Sequence, residues 1–173
     1  CYENKGTGCS NEYIKADVDI IKDFSLPKEF LLKALRIMMT ARISDDKHLT
    51  LVKQGKSFFH IGGSGHEAVQ TAVGLSMKSG YDWAWTYYRD IAISYSLGFT
   101  AREYFLLAFG KPEDIATGGR QMPGHFGHPK LNMPTASSPT GTQFLNAVGT
   151  ALASKKNGTD EITYVASGEG TTS

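Results

Sequence analysis

Apolar residues recur at helical spacing from Lys28 to Gln54, at Phe30, Leu31, Leu35, Met38, Met39, Leu49 and Val52, and that period predicts a long helix near the N-terminus. Ser25-Leu26-Pro27 reads as its start, with Ser25 as cap and Pro27 in the first turn, and Gly55 fits the position just past its end. Arg36, Arg42, Asp45, Asp46 and His48 then form a solvated polar face, and the Met pair fills core space. A second helix is expected from Glu67 to Lys78, burying Val69, Ala72, Val73 and Leu75 or Met77 and ending at Gly80. Ile91 to Leu97 predicts a third. Thr100-Ala101-Arg102-Glu103 is a capping box for a fourth, which ends at Phe109-Gly110. A fifth follows Gln143, with an apolar face of Phe144, Leu145, Val148, Ala151 and Leu152 and a cap from Ser138, Thr140 or Thr142. Small residues at Ala147, Gly149, Ala151 and Ala153 permit close approach of another element. Lys155-Lys156-Asn157-Gly158 makes a turn into Glu161-Ile162-Thr163-Tyr164-Val165, β-branched and aromatic enough for a buried strand. Tyr81 to Tyr87 crowds aromatic and polar residues and reads as a poor strand.

Between Lys111 and Gly141 the periodicity disappears. Gly118, Gly119, Gly124, Gly127 and Gly141, with Pro123, Pro129, Pro134 and Pro139, interrupt the run. A loop this long inside a domain is functional or disordered. Its His, Phe, Met and Asn content is unlike a solvating linker, which favours an ordered functional loop. His125 and His128 lack a nearby third ligand, so a structural zinc site is not expected.

Composition narrows the classes. The chain has 173 residues, with 18 Lys plus Arg against 17 Asp plus Glu. That balance gives no general attraction to nucleic acid or anionic membrane. The length suffices for one domain with a real core. No apolar run reaches membrane-span length, and no signal segment opens the chain. Cys1 and Cys9, the only cysteines, lie in a polar stretch within residues 1–24, read as a flexible N-terminal segment. They suffice for a small loop disulfide but not for a framework. A reducing cytoplasm is expected. A chain beginning with Cys and ending within a motif is expected to be part of something longer.

Four stretches carry candidate chemistry. After the strand ending at Val165, Gly168 and Gly170 allow a tight turn around Glu169, and Thr171-Thr172-Ser173 supplies caps for a following helix. Free backbone N–H groups at a helix start suit a phosphate, and a carboxylate there holds magnesium bridging phosphate oxygens. The plain alternative is a strand-to-helix turn with a solvated Glu. Gly63-x-Gly65-x-x-Ala68, with Asp82 beyond it, matches the dinucleotide fingerprint, although Ser64-Gly65-His66-Glu67 also explains the site as a capping box. Tyr87-Tyr88-Arg89-Asp90 stands at a helix entrance, where a guanidinium beside a phenol clamps an anion. The bland reading there is a surface Arg89–Asp90 pair. Ser137 to Gln143 offers hydroxyls, an amide and carbonyls, neutral oxygens suited to a monovalent cation or to capping alone.

The order of these stretches resembles the first half of the α chain of thiamine-diphosphate-dependent 2-oxo acid dehydrogenases. The likeness runs from Arg42 to Ser173. It is carried by Tyr88-Arg89-Asp90, Gly119-Arg120-Gln121-Met122-Pro123-Gly124-His125-Phe126-Gly127, Ser137-Ser138-Pro139-x-x-Thr142-Gln143 and Gly168-Glu169-Gly170. The Gly-Arg-Gln-Met-Pro and Ser-Ser-Pro stretches look more like the branched-chain, 2-oxoisovalerate type than the pyruvate type. The resemblance implies an α/β thiamin-diphosphate-binding fold, a parallel sheet flanked by helices with a long N-terminal helix. Residues 25–173 would be the N-terminal part of that domain.

It further implies that Tyr88 and Arg89 contact the cofactor diphosphate, that Gly168, Gly170 and Thr171 lie along it, and that Glu169 ligates magnesium. Ser137, Pro139 through its carbonyl, Thr142 and Gln143 match a potassium site. Ser138 and Thr140 match the pair beside the aminopyrimidine, and Thr140 departs from the apolar residue usual there. Phe58 matches a wall of the branched acyl pocket. His125 matches a family His without an assigned role. The implied reaction is oxidative decarboxylation of a branched-chain 2-oxo acid such as 2-oxoisovalerate, with the acyl group passed to the lipoyl domain of an acyltransferase component. The implied partner is a β chain, separate or fused, in a heterotetramer within a multienzyme complex. That β chain supplies the Glu that activates the aminopyrimidine, so no catalytic residue is assigned here and this segment alone is expected to be inactive. The location implied is cytoplasmic for a bacterial chain and the mitochondrial matrix for a eukaryotic one. Pyruvate or acetoin dehydrogenase α chains remain alternatives. So do an NAD(P)-binding oxidoreductase read from Gly63, Gly65 and Ala68, and a non-catalytic module using the Gly/Pro-rich loop as its binding surface.

Overall fold

The computed structural model describes residues 26–172. The proposed cap Ser25, the cysteines, the segment 1–24 and Ser173 lie outside the described residues. The chain divides into two compact units, Cys1–Leu32 and Lys33–Ser173. In the first, residues 26–32 are exposed and include the opening of helix α1 (Lys28–Lys53). Everything that follows concerns the second unit.

Along α1 the faces are inverted only in part, since Arg36, Arg42 and Asp46 are exposed as expected. Ala41, Ser44, Asp45 and His48 are buried, whereas Leu35, Met39, Ile43 and Leu49 are exposed. His48 is therefore not solvated. The inversion is possible because the polar groups satisfy one another. Ser57 Oγ donates to the Ala108 carbonyl at 2.6 Å, so it accepts from His48 Nε2–H at 3.0 Å. That leaves His48 Nδ1 to accept from the Tyr104 hydroxyl at 3.1 Å. Tyr95 donates to Ser44 Oγ at 2.8 Å. A buried polar group that keeps its hydrogen bonds costs little.

Helix α2 (Glu67–Ser76) also departs from expectation. Its buried residues are Gln70, Thr71 and Gly74, while Val69 is 61% exposed and Ala72 is exposed too. Packing against α3 (Ile91–Leu97) explains this choice. A Cβ on Gly74 would lie 2.4 Å from Ser96 Cβ, so only glycine permits the approach. The capping box at Ser64–Glu67 is absent. His66 is the cap residue, Ser64 Oγ instead donates to Asp45 at 2.8 Å, and Glu67 pairs with Arg42 at 2.6 Å. Helix α4 (Ala101–Ala108) does carry its capping box, with both halves of the Thr100–Glu103 exchange made.

Tyr81 to Tyr87, unpromising as a strand, contains β1 (Trp83–Trp85). It pairs in parallel with β2 (Thr163–Val165), in the register Trp83 with Thr163, Ala84 with Tyr164 and Trp85 with Val165. Ala84 is fully buried, and Tyr164 packs against the core of Ile91, Ile93, Leu97, Phe99, Tyr104, Leu107, Phe126 and Met133. Asp82 is spent on this junction. Its carboxylate accepts from Lys78 N at 2.6 Å and Ile162 N at 2.9 Å. The architecture is a short parallel two-stranded sheet with helices around it.

Between α4 and α5 (Thr142–Asn157) the long loop is ordered by its own hydrogen bonds. Asp114 accepts from Ala116 N, Thr117 N and the Thr117 hydroxyl at 3.0, 3.0 and 2.7 Å. Phe126 is fully buried, and His128 and Met133 form an antiparallel bridge around a short 3-10 turn, Pro129–Leu131. Helix α5 buries Gln143, Ala147 and Ser154. Its predicted apolar face is outward, with Leu145 81%, Val148 66% and Leu152 53% exposed. Its cap is Gly141 at φ 88°, not one of the hydroxyl residues. No helix among the described residues is long and apolar enough to cross a membrane.

Candidate functional site

The parallel pairing of β1 and β2 sends their carboxyl ends the same way, and ligands of α/β sheets collect outside such ends. From β1 the chain runs through Thr86 into Tyr87-Tyr88-Arg89-Asp90; from β2 it runs into Ser167-Gly168-Glu169-Gly170. The start of α5 forms a third wall. Gln143 Nε2 donates to the Ala166 carbonyl at 2.8 Å, and a Cβ on Gly141 would lie 2.8 Å from Thr171 Cγ2.

On the first wall, the Arg89 guanidinium lies 5.2 Å from the Tyr88 ring centre and donates to the Gly62 carbonyl at 3.4 Å. Gln70 holds the backbone behind it. Its Nε2 donates to the Arg89 carbonyl at 2.9 Å and to Asp90 Oδ1 at 3.2 Å, and its Oε1 accepts from Ala92 N at 3.1 Å. Asp90 is 1% exposed, so the surface Arg89–Asp90 pair does not form; burial pushes its carboxyl up to about 7, against the pull of the Tyr87 N–H.

Gly62 and Gly63 are held in turn by Asp45. Asp45 Oδ2 accepts from Gly63 N at 3.2 Å, Ser64 N at 3.1 Å and the Ser64 hydroxyl at 2.8 Å, while Oδ1 accepts from His60 Nε2–H at 2.7 Å. The glycines of the supposed dinucleotide fingerprint have local reasons, and Gly65 is set by its φ of 100°. A Cβ at Gly63 would sit 2.7 Å from the Arg89 carbonyl oxygen, so that glycine serves packing. Residues 57–62 form no strand, and Asp82 is already committed, so the fingerprint lacks its structural context.

The second wall is a 3-10 turn, Glu169–Thr171, entered at Gly168 with φ −76°. The tight turn expected around Glu169 is therefore present, closed by Thr171 N donating to the Gly168 carbonyl at 3.1 Å, but neither Gly168 nor Gly170 needs a glycine-only conformation to make it. A Cβ at either would meet nothing within 4 Å, so the backbone here faces open space, as a bound anion requires. Glu169 is exposed and lies within electrostatic reach of Tyr87. Burial chiefly raises the Tyr87 phenol, helped by Asp90 and Glu169 and opposed by Arg89.

The third wall gathers Ser137, Ser138, Pro139, Thr140 and Thr142, all exposed. Thr142 Oγ1 donates to the Pro139 carbonyl at 3.0 Å. His125, 3% exposed, reaches this wall from the long loop: Nδ1–H donates to the Met122 carbonyl and Nε2 accepts from the Ser138 hydroxyl, both at 2.7 Å. Gly124 packs the same loop against the first wall, since its Cβ would lie 3.2 Å from Tyr88 Cβ. Phe58 is not gathered in; it is 83% exposed. Among the described residues no group of three or more His, Cys, Asp or Glu is placed to hold a metal ion.

Asp45, His60 and Gln70 were not legible as site residues. The only signal for Gln70 was a lone amide amid the apolar and small residues of a short helix.

The sequence model of the dehydrogenase E1 component family matches residues 35–173. The 2-oxoisovalerate dehydrogenase subunit alpha of Bacillus subtilis is 39% identical over 135 residues, 78% of this chain and 41% of the relative. The mitochondrial 2-oxoisovalerate dehydrogenase subunit alpha of Dictyostelium discoideum is 33% identical over 154 residues, 88% of this chain and 34% of that protein. The human mitochondrial protein of the same name is 28% identical over 152 residues, again 88% of this chain and 34% of the relative. The chain thus spans about two fifths or less of the length of these relatives.

Proposed function

Because the chain belongs to the dehydrogenase E1 component family, we propose that it is the N-terminal part of the α chain of a branched-chain 2-oxo acid dehydrogenase. The whole enzyme would decarboxylate 2-oxoisovalerate or a close homologue oxidatively, with thiamine diphosphate as cofactor. The names of the relatives support the substrate class. The observation that carries the site is the convergence of Tyr88-Arg89, Gly168–Thr171 and the start of α5 at the carboxyl ends of two parallel strands.

The residues fit a diphosphate with magnesium. Open backbone at Gly168 and Gly170 leaves room for the diphosphate, and Arg89 offers it a guanidinium held in place from behind. Magnesium bound to phosphates needs only one or two protein carboxylates, and Glu169 carries the carboxylate on this wall. Thiamine diphosphate, when bound, supplies the nucleophilic carbon and the electron sink for decarboxylation. This chain's part is to bind and orient. Tyr88 and Arg89 clamp the diphosphate, while Thr171 adds a hydroxyl. Ser138 and Thr140 face the aminopyrimidine end. Ser137, the Pro139 carbonyl, Thr142 and Gln143 offer neutral oxygens for potassium. Phe58 awaits an apolar neighbour to make an acyl-chain wall.

A β chain, separate or fused, would complete the site and cover apolar surface such as Leu145, Val148 and Leu152 on α5. A lipoyl-bearing acyltransferase would take the acyl group, and the segment alone would not turn over. The compartment would be the cytoplasm in a bacterium and the mitochondrial matrix in a eukaryote.

Titration of the full-length protein with thiamine diphosphate and magnesium tests this reading. Losing one charge-assisted anion contact costs about 1.5–3 kcal/mol, so Arg89→Ala should weaken cofactor binding roughly 10- to 100-fold while the far-ultraviolet circular dichroism stays unchanged. Unaltered affinity in a folded variant overturns the diphosphate role of Arg89.

A further inference from the structure

His125 is the one buried group on the third wall whose role neither the resemblance nor the decarboxylation chemistry supplies. It sits in the irregular loop, 3% exposed, yet both ring nitrogens are engaged. Its partners determine its tautomer. The Met122 carbonyl can only accept, so Nδ1 carries the hydrogen at 2.7 Å. In the neutral ring Nε2 is then a bare acceptor, and the hydrogen of the 2.7 Å contact with Ser138 comes from the serine hydroxyl. Ser138 itself is exposed and has no other side-chain partner among the hydrogen bonds described. Pro139 follows it, with no N–H to donate, and Thr140 is exposed. The side-chain anchor of this segment therefore comes from His125 and, on the far side, from the Thr142–Pro139 contact.

The loop that carries His125 is itself secured to the core. Phe126, the next residue, is fully buried, stacks on Tyr104 and meets Phe99 edge to face. Its carbonyl accepts from Ala136 N at 2.9 Å, just before the serines. On its other side, Gly124 lies against Tyr88. His125 thus joins a rigid anchor to an otherwise exposed wall.

We propose that His125 is a positioning residue that orders Ser137–Thr140 through the Ser138 hydroxyl before any ligand arrives. With its hydroxyl hydrogen donated to Nε2, Ser138 meets the ligand through its lone pairs and so takes an N–H donor, a group the aminopyrimidine of thiamine diphosphate provides. The ligand part of this inference rests on the proposed function; the ordering part does not.

Two side-chain amides separate the two halves of the imidazole. Asn places an N–H near the Nδ1 position and can keep the Met122 bond, while Gln carries an acceptor near the Nε2 position and can keep the Ser138 bond. Hydrogen exchange is read by mass spectrometry on the ligand-free full-length protein at the amides that bracket the segment, Ala136 and Phe144, which donate to the Phe126 and Gly141 carbonyls. His125→Asn and Ser138→Ala are each expected to speed exchange there by on the order of tenfold, the size of one ordinary hydrogen bond. The double variant should add nothing, and His125→Gln should stay near wild type. Equal effects of Asn and Gln, or no effect of Ser138→Ala, overturn the positioning role and leave His125 as packing only. Because Ser138 is exposed, its variant keeps the test valid even if a His125 variant fails to fold. Thiamine diphosphate titration of the same variants separates the two readings. Weaker binding in His125→Asn and Ser138→Ala, restored in His125→Gln, supports both. Faster exchange with unchanged affinity keeps the ordering role and overturns the ligand role of Ser138.

Discussion

Asp45 shows how much one side chain can organise. Its two oxygens take four donors, from His60, Gly63, Ser64 N and the Ser64 hydroxyl. The segment thus fixed receives Arg89 at the Gly62 carbonyl. Asp45 reads in the sequence as a solvated helix residue, because a carboxylate on a helix usually is one. Its partners lie 15 to 19 positions away, across the turn after α1, and no local period reveals them. Removing it would leave two backbone donors and an imidazole without their acceptor. Each buried unsatisfied group costs about 1–3 kcal/mol, and since only Gly63 N is buried while His60 and Ser64 still reach solvent, Asp45→Ala should lower unfolding free energy by about 2 kcal/mol in urea titration. A loss below about 1 kcal/mol would contradict the network.

At the scale of elements, the signals that held are those whose partners are a few residues apart. The Thr100–Glu103 capping box closes within one turn, with Glu103 N donating to Thr100 Oγ1 at 3.2 Å and Thr100 N donating back to Glu103 at 2.7 Å. Thr100→Ala should therefore cost about 1 kcal/mol in thermal or urea unfolding, and a neutral result would mean that α4 is held by packing alone. The similar Ser64–Glu67 pattern failed because distant partners, Asp45 and Arg42, outbid the local exchange. The helices of α2 and α5 illustrate the same limit. Periodicity located them, but the faces they bury are polar or small, since close approach to α3 and to β2 decides the packing. Strand β1 was hidden for a related reason. Three residues are too short a window for alternation, and β1 forms because Ile162–Val165 lies beside it.

For the whole molecule, two buried groups give folding a balanced response to acid. Burial, reinforced by His60, holds His48 down at about 4 against an ordinary 6.5. Burial pushes Asp90 up to about 7 from 3.8. As pH falls from 6.5 to 4, the unfolded chain protonates His48 and the folded chain does not, so stability is lost in the acid direction. As pH rises from 3.8 to 7, the unfolded chain ionises Asp90 while the folded chain keeps its proton, so stability is lost in the alkaline direction. The two slopes oppose each other between about 4 and 6.5. Asp90→Asn removes the second, and its melting temperature should climb more steeply with pH over that window than that of the unaltered protein. An unchanged slope would show that Asp90 does not keep its proton in the fold.

The amino-acid sequence by itself determined what is local or linear: which segments are helical, where glycine and proline interrupt them, and the motifs that mark the dehydrogenase E1 component family. Tyr88-Arg89, Ser137 to Gln143 and Gly168-Glu169-Gly170 were legible because their chemistry lies in adjacent side chains and backbone. Only the tertiary structure decided which faces are buried, that Gly63 and Gly74 serve packing, and that Asp45, Gln70 and His125 stand behind the walls of the candidate site. The reason is physical. A hydrogen bond or a close approach between residues far apart in the chain depends on where the fold brings them, and such contacts leave no period or spacing behind.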